Sequence, residues 1–247
     1  MLKLLCITAH PDDEAGCFGG VLSKYSEVGV ECAVVSLTAG ERAANRGGLV
    51  EDAALKERRR AEFADSCHHL GVHRSEAWDY HDGALDREAF HVVTGKLVQF
   101  IREFRPHVVA SFGAEGFVTA HPDHGMAGLF AAAAFQWAAR ETRYTEQLSD
   151  GLAPWQADKF YQVTTEFSLK ERPPVSLASV TARVDVGKYV ERKIEAFALH
   201  KTQLPLLPIF IFAQEQAGVD ELFHLAATRE VMAMRMEDDL FDGIREF

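Results

Sequence analysis

Only four of the 247 residues are cysteine (Cys6, Cys17, Cys32 and Cys67), all in the first third and none in a C-x-x-C pair. That spacing excludes a zinc knuckle and a disulfide framework, and it leaves the thiols to pack as small apolar side chains. Basic charge is scarce too. The chain has 26 Lys and Arg against 37 Asp and Glu, a formal net charge of −11. A nucleic-acid or anionic-membrane partner would reward a concentrated basic face, and none is present. No apolar stretch approaches the roughly 20 residues of a membrane helix, and the start lacks the basic segment and small-residue cleavage site of a signal peptide. The expectation is a cytoplasmic protein with no nucleic-acid or membrane partner. There is no internal repeat, no low-complexity tract, and no G-x-G-x-x-G after the first apolar run, so dinucleotide binding has no motif behind it.

With 47% hydrophobic and 26% charged residues, the chain can bury one sizeable core. Short β-branched runs at Leu2 to Thr8 and Val30 to Leu37 flank a helical stretch from Glu14 to Val28, a strand-helix-strand unit. Thr38 to Asp52 reads as a polar loop, and Ala53 to Leu70 as a helix stopped by Gly71. A strand follows near Ala77 to Tyr80, a helix over Arg87 to Phe104, a strand over His107 to Phe112, and a helix from Asp123 to Arg140. This β-α rhythm predicts an α/β fold, with a Rossmann-like, mostly parallel sheet and helices on both faces. Over Thr142 to Pro154 the pattern lapses. Lys159 to Thr165 and Val180 to Val186 then look like strands, Lys188 to Lys201 like a helix, and the Pro-containing run Leu204 to Phe212 like a core strand or part of a subunit interface. We therefore expect a single domain over 1–247, with a metal-binding core at 1–141 and a small α/β extension at 142–247 that shapes the substrate pocket. A homo-oligomer is compatible with that apolar run.

Two clusters carry chemistry. Thr8-Ala9-His10-Pro11-Asp12-Asp13-Glu14 places a histidine and paired carboxylates in the turn between the first strand and its helix. Ala120-His121-Pro122-Asp123-His124 repeats that placement after a later strand. Ligands of open α/β sheets bind beyond the carboxyl ends of strands, so both turns can reach one crevice. A catalytic zinc site needs three N or O ligands and an open position, and His10, Asp13 and His124 supply such a set. Asp12 on the same turn is then free to move a proton. Either motif alone has a plain structural reading, since Asp caps helices and X-Pro favours extended backbone. Both together, each built as His-Pro-Asp, do not.

These residues resemble the signature of the PIG-L/LmbE-like deacetylases, zinc-dependent hydrolases that remove acetyl groups from N-acetylglucosaminyl compounds. Thr38-x-Gly40-Glu41, Arg59-x-x-Glu62 ahead of Leu70-Gly71, His200-Lys201-Thr202-Gln203 and Asp239-Leu240-Phe241 are similar to further family features. The resemblance implies that His10, Asp13 and His124 hold Zn2+, with Fe2+ also admissible for these donors. It also divides the paired aspartates, which spacing alone does not: Asp13 as ligand and Asp12 as general base. His121 would stabilise the oxyanion or protonate the leaving amine. Arg59 would touch the substrate, and Asp82, in His81-Asp82-Gly83, would accept hydrogen bonds from sugar hydroxyls. The substrate would be a small amino sugar. Two alternatives remain: an amidase acting on another N-acyl group or a thiol-sugar conjugate, and a catalytically idle metal- or sugar-binding protein. Glu14 could orient a ligand or simply favour the helix dipole, and His200 is accounted for by its helix-terminal position. Glu41 and Arg42 sit where a loop could grip substrate.

Overall fold

The computed structural model describes residues 1–169, 175–231, 233 and 235–244. The chain runs β1 (Lys3–Thr8), α1 (Asp13–Glu27), β2 (Glu31–Thr38), α2 (Asp52–Leu70), β3 (Arg74–Tyr80), α3 (Phe90–Phe104), β4 (Val108–Ser111) and α4 (Pro122–Ala138). The second half adds α5 (Thr145–Ser149), β5 (Lys159–Thr164), β6 (Ala182–Asp185), α6 (Val190–Leu199), α7 (Leu207–Ala217) and β7 (Asp220–Thr228). The seven strands of the described residues join one sheet in the order β3-β2-β1-β4-β5-β7-β6. The pairs from β3 through to β5 are parallel, whereas β7 runs antiparallel to both β5 and β6. This is the expected α/β fold.

The topology dictates where a ligand can sit. From β1 the chain steps outward through β2 and β3, then returns to lay β4 on the other side of β1. The loops leaving β1 and β4 therefore diverge and open a crevice at their carboxyl ends. The central strands are buried on both faces, which is why β1 (KLLCIT) and β4 (VVAS) read as continuous apolar runs rather than alternating ones. Helices α1, α2 and α6 pack together on one side, and α3 with α4 on the other. Gly71 closes α2 in the left-handed conformation (φ 82°), its N–H donating to the carbonyls of Cys67 and His68, as expected of a C′ glycine.

The structure corrects several expectations. Leu204 to Phe212 is not a strand: a 3₁₀ turn at Lys201–Leu206 leads into α7. Pro208 lies in the first turn of α7, where the missing N–H costs nothing, so proline here starts a helix rather than ending one. Leu204 and Leu206 in the 3₁₀ turn and Ile209 and Phe212 in α7 are exposed. The helix expected from Arg87 begins at Phe90, after a 3₁₀ turn at Leu85–Arg87. A short helix, α5, occupies part of the stretch where the pattern lapsed. Strand β7 was not anticipated at all, because DELFHLAAT opens with two acids and lacks β-branched residues before its last position. Among the described residues no single helix is long and apolar enough to cross a membrane.

Candidate active site

The turn after β1 is held by its own backbone. Ala9 O accepts from Thr38 N (3.0 Å) and Thr38 Oγ1 (2.8 Å), which ties the turn to the end of β2. Asp13 Oδ2 accepts from the N–H groups of His10 (2.8 Å) and Ala9 (3.1 Å). Asp12 is the N-cap of α1, yet its side chain makes no cap hydrogen bond and its backbone is left-handed (φ 111°). Such a conformation costs a non-glycine residue roughly 1–3 kcal/mol and persists only where neighbours enforce it. Here Glu14 Oε2 accepts from Asp12 N at 2.9 Å. Arg59 donates to Asp12 Oδ2 (3.0 Å), Gly40 O (2.9 Å) and Pro11 O.

A second turn closes the site. His121 is the N-cap of α4, its Nδ1 accepting from Asp123 N at 3.2 Å, with Pro122 in the first helical turn. His124 Nε2 lies 3.1 Å from Asp13 Oδ1, and its ring stacks on Phe112 with centroids 4.1 Å apart. The rings of His10, His121 and His124 have centroids 4.8 to 5.4 Å apart. One ligand atom from each lies within 4.8 Å of the others, and the same holds for His10, Asp82 and Asp123.

Electrostatics says what this cluster wants. His10 Nε2 is 3.2 Å from both Asp82 Oδ1 and Asp123 Oδ2, and His10 Nδ1 is 3.7 Å from Asp13 Oδ2. Burial opposes charge on that imidazole, but the hydrogen bonds to Asp123 and Asp82 and the charge of Asp13 outweigh it, raising the pKa to about 10. Burial also opposes ionisation of Asp13, but His124 and His10 hold it well below the usual carboxylate range. For Asp82 and Asp123, burial is likewise outweighed by His10, and both are lowered. Burial wins at Asp12: it pushes the pKa up to about 6, helped by Asp13 and opposed by Arg59, His200 and His10. Burial lowers His121, and so do the neighbouring His10 and His124. Four carboxylates and three imidazoles at the mouth of one crevice form an anionic donor set of oxygen and nitrogen. Such a set fits a divalent cation better than any arrangement of its own protons.

The structure thus brings His10, Asp12, Asp13, His121 and His124 together. Arg58 is exposed but Arg59 is buried, so the Arg58 to Arg60 run is not a solvated face. The hydrogen bonds of Arg59 go to Asp12 and two carbonyls. Asp82 meets His10 and accepts from Arg42 N at 2.9 Å, while its own N–H donates to Glu41 Oε1. Sequence reasoning gave no role to Asp123, which also accepts from Gly83 N (2.7 Å) and Leu85 N (3.1 Å) and so pins the Asp82 turn beside His10. Its signal was present, since it sits inside the second motif. His200, at the end of α6, has a partner that its helix-end position did not suggest: its Nε2 is 2.6 Å from Glu14 Oε1, which also accepts from Ser66 Oγ (2.6 Å). Both Glu14 and His200 are fully buried, and burial of the imidazole is outweighed by Glu14, which raises its pKa. A separation of 186 residues leaves no local pattern to read.

Comparison with known proteins gives the family and the fold. The family described as PIG-L, GlcNAc-PI de-N-acetylase, matches residues 5–135, which contain both turns. A 1D-myo-inositol 2-acetamido-2-deoxy-alpha-D-glucopyranoside deacetylase of Rhodococcus jostii is 31% identical, the alignment covering 98% of each chain. The solved N,N'-diacetylchitobiose deacetylase of Pyrococcus horikoshii superposes with a TM-score of 0.75 at 26% identity, over 90% of this chain and 83% of that one. A 4-carboxy-2-hydroxymuconate hydratase of Pseudomonas putida reaches 0.73 at 20% identity, over 95% of this chain and all of its own. That last likeness is one of fold alone, and it shows that the scaffold by itself does not name the reaction.

Proposed function

The chain belongs to the PIG-L family, and on that premise we propose that it hydrolyses the acetamide of an N-acetylglucosamine-type substrate to acetate and a free amine. The observation that carries the reading is the convergence of the two turns, with Asp13 and His124 3.1 Å apart and Asp12 beside them making no helix-cap hydrogen bond. A binding protein needs the first feature and has no use for the second. His10, Asp13 and His124 would hold the cation, taken as zinc with ferrous iron as the alternative. When bound, it supplies a Lewis acid for the amide carbonyl and lowers the pKa of water.

The protein's own groups do the rest. Asp12, with a pKa near the working pH, takes the proton of the attacking water as the C–O bond forms. His121 is neutral at pH 7, and because Nδ1 accepts from Asp123 N, its proton sits on Nε2. It is therefore a hydrogen-bond donor for the oxygen that becomes negative, a contribution of about 3–4 kcal/mol for one such donor. As the C–N bond breaks, Asp12 returns its proton to the departing nitrogen. Arg59 and Glu14 hold Asp12 in place throughout, and Asp82, Glu41 and Arg42 face the sugar hydroxyls from the rim.

The test is an acetate-release assay on a panel of N-acetylated sugars and conjugates, with bound metal measured in parallel. We expect release from at least one glucosaminyl compound, its loss on chelation, and its return with zinc or ferrous iron. Full activity after complete demetallation would contradict the mechanism, and silence across the panel would contradict the substrate class.

A further inference from the structure

The segment His200-Lys201-Thr202-Gln203, which follows α6, holds none of the groups assigned to the cation or to the reaction and lies outside the region matched by the family. Three of its side chains are buried, and each reaches an element that frames the site. His200 meets Glu14 on α1. Thr202 donates from Oγ1 (2.6 Å) and N (3.1 Å) to the carboxylate of Glu62, one helical turn beyond Arg59 on α2. Gln203 donates to Asn45 O at 3.0 Å, on the rim loop that carries Glu41 and Arg42.

A capping box has two halves: the N-cap side chain accepts from a first-turn N–H, and a glutamate of that turn reaches back to the N–H of the N-cap. Helix α1 makes only the second. Glu14 Oε2 accepts from Asp12 N at 2.9 Å, whereas the Asp12 side chain makes no cap bond and its Oδ2 meets Arg59 instead. The backbone accounts for the difference. An N-cap is ordinarily extended, which aims its side chain at the first-turn amides, but Asp12 sits at φ 111°. Left to relax, Asp12 would become an ordinary cap, its carboxylate engaged by α1 rather than facing the crevice.

What keeps Glu14 turned back is the grip on its other oxygen. The carboxylate is fully buried, and Oε1 accepts from Ser66 Oγ and from His200 Nε2, both at 2.6 Å. Glu14 is also the only hydrogen-bond partner of the His200 ring among the described residues, since Nδ1 has none. We infer that His200 is a positioning residue for the general base: through Glu14 it holds the Asp12 N–H, and with it the left-handed turn that leaves the Asp12 carboxylate free. This rests on the reading of Asp12 as general base and adds a support supplied by the second half of the chain.

The experiment compares His200→Gln with His200→Asn in the metal-loaded protein. A glutamine amide nitrogen can stand where Nε2 stands, whereas an asparagine amide stops at the place of Nδ1 and leaves Glu14 Oε1 to Ser66 alone. His200→Gln should keep kcat within about threefold of the wild-type value, and His200→Asn should lower it by about tenfold or more with KM and bound metal unchanged. A crystal structure of His200→Asn should show Asp12 at negative φ, its carboxylate accepting from the N–H of Glu14 or Ala15. Equal kcat in the two variants, loss of metal along with rate, or Asp12 still at positive φ in His200→Asn would overturn the inference. Where His200→Asn fails to fold, Ser66→Ala decides: it removes the other donor to Oε1 while keeping the ion pair, and kcat should fall by about threefold or more, an unchanged kcat being the contrary result. Wild-type protein that cleaves no N-acetylated sugar would overturn the amide-hydrolase reading, and the Asp12 geometry in His200→Asn would still decide the positioning role.

Discussion

At the scale of residues, Asp12 combines a left-handed backbone with the proposed role of general base. Its left-handed backbone is enforced from beneath by Glu14 and from the side by Arg59, and its burial raises its pKa to about 6. A base must be ionised to act, so kcat/KM should fall about tenfold per pH unit below an apparent pKa at or under about 6, because a bound cation draws that value down. A flat profile from pH 4 to 8 would contradict the role. His121→Ala should reduce kcat by roughly a hundred- to a thousand-fold with metal content unchanged, as for loss of one oxyanion donor; equal loss of metal would make His121 a ligand. His200→Ala leaves Glu14 as an uncompensated buried charge, and urea unfolding should show a loss of about 3–5 kcal/mol. Among these residues, the ones legible in the sequence lie within five positions of one another. His10 to Glu14 and His121 to His124 announce themselves because a turn concentrates their donors. The Glu14–His200 pair was illegible because only the packing of α6 on α1 brings it together.

Among elements, the helices that hold the second turn depend on one side chain. Arg102 on α3 is 1% exposed and donates to the carbonyls of Ala138, Arg140, Arg143 and Tyr144 and to Gln147 Oε1. It thereby gathers the end of α4 and the segment leading to α5 onto α3. Arg102→Met keeps the volume but strands those carbonyls, and should lower stability by roughly 3 kcal/mol in denaturant unfolding; a change under 0.5 kcal/mol would show that water satisfies them equally well. Sequence periodicity found the elements of the parallel half to within a few residues, because buried strands and capped helices have strong local signals. It failed at α7 and β7. Two prolines disguised a helix start in the former, and in the latter acids and alanines occupy a strand that is specified by its partners β5 and β6 rather than by its own composition.

Over the whole molecule, the sheet order accounts for why one crevice holds everything. The reversal between β1 and β4 brings two turns 113 positions apart into hydrogen-bonding range. An acidic chain then concentrates four buried or half-buried carboxylates there, offset by Arg59 at Asp12 and by His10 and His124 at the other three, and a cation can take the place of the protons on those imidazoles. The central claim is a division of labour within the Asp12–Asp13 pair, and the most direct test is metal content and acetate release measured side by side on Asp12→Asn and Asp13→Ala. The account predicts that Asp12→Asn retains its metal and loses roughly a hundred- to ten-thousand-fold in turnover, while Asp13→Ala loses the metal itself. The reverse pattern, metal lost with Asp12 and kept without Asp13, would contradict it.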